Sequence, residues 1–386
     1  MNKTKAMDIL KKNTMIIALV LVTAFFTWQT QGKMLLPQNV YNLVAQNAFV
    51  FILATGMLLC ILTGGNIDLS VGSVICFVGA IGGVMMVNQG MSIWLSMVVM
   101  ILVGTIIGAW QGFWIAYVRI PPFIVTLAGM LIFRGLANAV LQGKTIAPIP
   151  DEYTIMFSGF VPDVFGNETF NITCMLVGVI AVVIYVVMTI WGRISKAKKG
   201  YELPSLGGTI GKLVVVSAAI LAFMFRLAQH KGIPNVLIWI VVVVLIYSYI
   251  TSRTRTGRYF YAVGGNEKAA ALSGINTNKV YFLAYANMGF LAAIASLVVI
   301  ARFKAATPTA GVSYEMDAIG SCFIGGASAY GGIGTVPGVI VGAILMGVIN
   351  LGMFIMAVDS NYQNVVKGGV LLLAVIFDVV SKRKTA

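Results

Sequence analysis

Eleven long apolar runs divide this chain, near 14–28, 43–62, 71–87, 93–118, 123–141, 172–191, 213–227, 235–250, 280–301, 336–358 and 365–380, and they leave few folds open. Runs of about 16–25 residues match α-helices crossing a hydrocarbon core of about 30 Å, whereas the strands of a membrane barrel alternate over about ten residues. The chain is 59% hydrophobic and 10% charged, against roughly 45–50% and 25% in soluble domains. These features exclude a soluble protein and predict an all-α polytopic integral membrane protein, one transmembrane domain over 1–386. A shorter apolar segment at 317–326 either re-enters or crosses, so ten to twelve spans are expected.

The formal charge of +14 is spread among short loops. With the N-terminus inside, the inner segments collect Lys3, Lys5, Lys11, Lys12, Arg119, Arg193, Lys196, Lys198, Lys199, Lys212, Arg253, Arg255, Arg258, Lys268 and Lys279. The outer segments hold Lys33, Lys144, Lys231, Arg302 and Lys304, which satisfies the positive-inside rule. The basic tail, Lys382, Arg383 and Lys384, asks that the doubtful segment or one further unrecognised segment cross as well, placing both termini in the cytoplasm. Such charge is a topogenic and lipid-surface signal and argues against nucleic acid. A basic start before an apolar run resembles a signal peptide, but no small-residue cleavage site follows Trp28, so the first run reads as an uncleaved span. Cys60, Cys76, Cys174 and Cys322 form no CxxC pair and read as packing residues, with no metal or disulfide role.

The most polar stretch, 251–279, is too hydrophilic to lie in lipid and is where a membrane protein could grip a soluble partner. Gly264 and Gly265 suggest a tight turn, Asn266 an N-cap, Glu267 a first turn, Ala269 to Leu272 a short helix with Ala270 inside it, and Gly274 its stop. An ordinary connector would fit the same residues. Two glycine-rich interruptions fall inside apolar sequence. The first, 63–73, holds Asn66, Asp68 and Ser70; Asp68 is either a proton or ion site or the cap of the following helix, with Asn66 and Ser70 satisfying backbone groups. The second, 319–338, holds Gly325 and Gly326 and echoes the first, which suggests internal duplication with a translocation route between the repeats. Pro308, Glu315 and Asp317 are expected at the outer mouth of the second half, with Lys367 entering the last span near that side. Gly104, Gly108 and Gly112 predict close helix packing. Arg134 and Arg226 read as snorkelling or paired cations.

The longest outer loop, 142–171, is a candidate docking surface, although its acids suit plain solvation. Its Asn167 and Asn171 sequons would matter only in a secretory pathway. The run LGGTIGKL at 206–213 looks faintly like a phosphate loop, but Leu206 and Leu213 stand where Gly and Ser or Thr belong. With His230 the lone histidine, nothing is arranged for nucleophilic or metal catalysis, and an enzyme is not expected.

Three motifs together, GGNIDLSVGS at 64–73, YAVGGNEKAAALSGIN at 261–276 and GGASAYGGIGTVPGVIVGAILMGVINLGM at 325–353, resemble the permease subunits of ribose-type bacterial ABC importers. Asn66 and the added segment around 191–234 are most similar to xylose and multiple-monosaccharide permeases. The resemblance implies a homodimer in the bacterial inner membrane, two cytoplasmic ATP-binding subunits that carry the ATP and Mg, an external sugar-binding protein, and no cofactor in this chain. It places Gly264, Gly265, Asn266, Glu267, Ala270 and Gly274 in a loop coupled to the ATPase. Two other readings stay open: an ion-gradient-driven secondary transporter built on Asp68, and an ABC permease for a branched-chain amino acid or nucleoside.

Overall fold

The computed structural model describes residues 14–166, 169–201, 203 and 205–383. Lys3, Lys5, Lys11, Lys12, Asn167, Glu168 and Lys384 lie outside them, as do the side chains of Lys382 and Arg383. The described residues form helices α1 (Thr14–Gln29), α2 (Pro37–Gln46), α3 (Ala48–Leu62) and α4 (Val71–Gly83), the last prolonged by a π turn at Val84–Asn88. Then come α5 (Ile93–Ala116), α6 (Pro122–Leu141), α7 (Asp151–Ser158), α8 (Ile172–Lys198), α9 (Leu206–Ala228) and α10 (Asn235–Arg253). The series ends with α11 (Arg255–Gly265), α12 (Glu267–Leu272), α13 (Thr277–Phe303), α14 (Tyr314–Ile324), α15 (Val336–Ile355) and α16 (Ser360–Arg383). Proline in the first turn starts α2, α6 and α15, where its missing N–H costs no helical hydrogen bond.

Among the described residues ten helical stretches, α2 and α3 counted together, are long and apolar enough to cross a membrane. Contacts fix the direction of the remainder. Met15 near the start of α1 lies against Gly326, and Phe26 near its end lies against Gly352. Helix α13 starts beside Arg119, to which Thr277 is bonded, and ends where Ala306 pairs with Ile146 on the opposite face. The chain after α14 is back on the first face, because the Gly332 N–H donates to the Leu62 carbonyl at 3.1 Å. Segment 304–324 therefore crosses: its first part is non-helical, and only the eleven residues of α14 are helical. With α1 this brings the passes to twelve among the described residues, and both ends of the described chain lie on the face that carries α11 and α12.

The order α3, break, α4, α5, α6 recurs in reverse direction as α13, break, α14, α15, α16. Helix α4 packs on α5 and α6 as α14 packs on α15 and α16, and α5 packs on α13 as α15 packs on α3. This pattern accords with the expected duplication but corrects which breaks correspond. The partner of 63–70 is 304–313; Gly325 instead caps α14, and Gly326, at φ +83°, turns the chain toward α15. Gly72, just past the first break, and Gly311, within the second, stand so close that a Cβ on either would lie 2.0 Å from the other's carbonyl oxygen.

Helices α3 and α13 make the centre. Every residue of α3 is buried, as a helix that is apolar on all sides must be. Gly104 and Gly108 of α5 let that helix approach the Gly289 and Ala293 backbone of α13. The expected outer loop is partly a plug, since α7 packs on α13 and buried Tyr153 donates to the Leu297 carbonyl at 2.8 Å. Helices α8 and α9 pack mainly on each other at the periphery and leave their apolar side chains exposed.

Candidate functional site

The polar stretch folds as two short helices: α12 stands where the one short helix is predicted, and α11 before it is not among the expectations. The Thr254 side chain caps α11 by accepting from Gly257 N at 3.0 Å, and the Asn266 side chain caps α12 by accepting from Ala269 N at 3.0 Å. Gly274 sits at φ +82° just past α12, the left-handed geometry that ends a helix cheaply with glycine. The predicted tight turn at Gly264 and Gly265 is absent, because both residues are helical and close α11. The sharp change of direction falls on extended Asn266 instead.

Glu267 is held from three sides. Arg119 donates to its Oε1 at 2.8 Å, and the Tyr281 hydroxyl donates to Oε2 at 3.2 Å. Arg119 also reaches Thr277 and Asn278, and its guanidinium lies 5.5 Å from the Tyr281 ring centroid. Partial burial pushes the Glu267 carboxyl up, but the Arg119 hydrogen bond and charge, with Tyr281 and Thr277, together outweigh it and hold the group below its ordinary value. Ala270 is buried while Leu272, two residues on and so on the other side of the helix, is 91% exposed. The projection is thus clamped at its base and presents an apolar tip.

Gly264 joins this projection to the rest of the molecule. A Cβ there would lie 1.7 Å from the Leu62 carbonyl oxygen and 2.6 Å from the Gly332 amide nitrogen, whereas one on Gly265 would meet nothing within 4 Å. Gly65, at φ +77°, approaches the Ala329 carbonyl just as closely, and Gly331 approaches the Gly64 backbone. The Tyr261 hydroxyl donates to the Gly334 carbonyl at 2.8 Å. The three motifs that stand far apart in sequence therefore meet backbone to backbone in one seam. A displacement of α11 would press directly on the end of α3 and on the α14–α15 turn.

Asp68 lies beyond this seam, buried at 2% exposure. Its Oδ1 accepts from the Ser70 N–H at 2.8 Å and the Ser70 hydroxyl at 2.7 Å, and Gln111 of α5 donates to the same hydroxyl at 2.7 Å. Asn66 donates to the Thr63 carbonyl at 3.1 Å. These bonds brace the entry to α4, but Asp68 is not the helix cap: it accepts only from Ser70, two residues on, and among the described residues no side chain makes a capping bond to α4. Ser70 itself occupies the N-cap position.

Two polar arrangements escaped the sequence reading. Asp317 lies in the interior and not at an outer mouth: it is 2% exposed and receives Lys367 Nζ at 3.0 Å and Asn350 Nδ2 at 3.3 Å. Arg134 donates to the Pro308 and Ala310 carbonyls, holding the second break. No sequence signal pairs Lys367 with Asp317 across fifty residues, although each taken alone is a costly charge in an apolar run. Exposed Leu272, Tyr330 and Ile333 share the face of the projection and were also missed. Among the described residues no group of three His, Cys, Asp or Glu could hold a metal ion, and the four cysteines are free and buried.

A family model described as the branched-chain amino acid transport system / permease component matches residues 39–208 and 195–375. The chain is 37% identical over 370 residues to the xylose transport system permease protein of Haemophilus influenzae, covering 96% of each chain. It is 36% identical over 371 residues to the xylose transport system permease protein of Escherichia coli K12, covering 96% of this chain and 92% of that one. It is 32% identical over 373 residues to the ribose import permease protein of the same strain, covering 96% and 94%. No solved structure matches it.

Proposed function

The chain belongs to the branched-chain amino acid transport system permease family, and on that footing we propose that it is the membrane-spanning subunit of an ATP-driven importer of xylose or a related monosaccharide. The kinship to permeases named for xylose and ribose supports the cargo class. The permease has no catalysis of its own. It works in the bacterial inner membrane as a homodimer, with α11 and α12 in the cytoplasm against a separate ATP-binding subunit and the opposite face toward a sugar-binding protein.

The observation that carries this reading is the glycine seam. A projection clamped at its base by Arg119 and Glu267, tipped by exposed Leu272 and fused through Gly264 to both halves of the bundle, suits a lever moved by another protein. Closure of the ATP-binding subunits displaces α12, and the seam passes that motion to the end of α3 and the α14–α15 turn. The test is uptake of labelled xylose into sealed vesicles holding this chain, with and without its ATP-binding subunit and binding protein. Uptake that needs ATP and both partners supports the proposal; uptake by the chain alone under an imposed proton gradient refutes it.

A further inference from the structure

The glycine-lysine run at 206–213, set aside as a nucleotide loop, forms one wall of a cavity of about 340 Å³ between α8 and α9. Met188, Gly192, Arg193, Lys196, Gly208 and Lys212 are among its lining residues. Arg193 donates to the Thr209 hydroxyl at 2.8 Å, and Thr209 donates to the Ser205 carbonyl at 3.1 Å, so the two helices are tied at the cavity floor. Among the described residues no carboxylate lies within ion-pair distance of Lys196 or Lys212, which line the cavity from α8 and α9 respectively.

The surroundings select the ligand. At 1.5 Å per residue the 27 residues of α8 extend about 40 Å, roughly 10 Å more than a hydrocarbon core. Trp191, 73% exposed, marks the level at which the helix leaves that core; Arg193 and Lys196 follow in the headgroup layer, and Lys212, three residues along α9 from the Thr209 that Arg193 holds, stands about level with Trp191 and lines the cavity from its core side. Above them the hairpin shows Val183, Val187, Met188, Val214 and Val215 to its surroundings. Apolar chains beside the hairpin and a phosphate among the lysines would satisfy both halves of this surface at once. We infer that the cavity between α8 and α9 is a binding site for the phosphodiester headgroup of an anionic phospholipid, with Lys196 and Lys212 as its principal charges. The site is independent of which sugar is carried and of whether the carrier is driven by ATP.

Native mass spectrometry of the intact permease, released from vesicles of equal phosphatidylglycerol and phosphatidylcholine, tests this. The wild type should retain phosphatidylglycerol about tenfold over phosphatidylcholine, and Lys196→Gln with Lys212→Gln should lower that retention about tenfold. A charge-matched pair on the same turn but outside the lining, Lys198→Gln with Lys199→Gln, should change it less than about twofold. Equal retention of the two lipids, or an equal loss in both variant pairs, overturns the inference. Adding inorganic phosphate separates the sources: displacement of the lipid by millimolar phosphate would make this a free-anion site and also refute the lipid assignment.

Discussion

Replacing Gly264 with alanine should disable the lever, while the same change at Gly265 should not. The two glycines are neighbours in one helix, yet a Cβ at 264 would meet the Leu62 oxygen at 1.7 Å and one at 265 would meet open space. Carbon contacts settle near 3.5 Å, so the seam must part by roughly 2 Å to admit the methyl group. That separation breaks the 3.1 Å bond from Gly332 N–H to Leu62, worth about 0.5–1.5 kcal/mol. Overpacking against two backbones that cannot swing aside adds about 1–3 kcal/mol. The expected cost is therefore about 1.5–4.5 kcal/mol for Gly264→Ala, against a gain of up to about 1 kcal/mol for Gly265→Ala from helix propensity. Purified variants in detergent would be heated and the monodisperse fraction followed, then each would be used to capture the ATP-binding subunit. Gly264→Ala should aggregate at lower temperature and capture less, with Gly265→Ala equal to or better than the parent. Indistinguishable behaviour of the two variants would refute the seam argument.

Three further outcomes follow from the same geometry. Because the Glu267 carboxyl lies below its ordinary value, its clamp on Arg119 is complete above the usual range of about 4.3 and is lost as pH falls through the lowered value; capture of the ATP-binding subunit should weaken there, and Glu267→Gln should remove that dependence. Removing one partner of the buried Asp317–Lys367 pair should cost about 3–5 kcal/mol, while Asp317→Leu with Lys367→Met should recover much of it; the yield of monodisperse protein from the single and double variants decides the point. Asp68→Asn keeps an oxygen to accept from Ser70 and should preserve uptake, whereas loss of uptake with an intact fold would revive an ion-coupling role.

Much of the local structure was legible. The apolar runs mark the spans because hydrophobic length is set by the bilayer, and the caps at Asn266 and Gly274 appear as predicted because capping depends on neighbours in sequence. The errors share one cause. Gly264 and Gly265 look identical in a sequence window, but only one faces another backbone. Gly325 and Gly326 were paired with the first break by composition, although the true counterpart, 304–313, has less glycine and a different texture.

By itself the sequence determined that this is a helical membrane protein, that one polar projection leaves the membrane, and which residues start and stop the second helix of that projection, α12. Only the tertiary structure decided that 304–324 crosses, that Asp317 meets Lys367, and that Leu62, Gly264 and Gly332 share one point. The physical reason is range. Hydropathy and capping act within a few residues, whereas close backbone approach and burial of a charge depend on elements brought together from far along the chain, and glycine records permission for such contact without naming the partner.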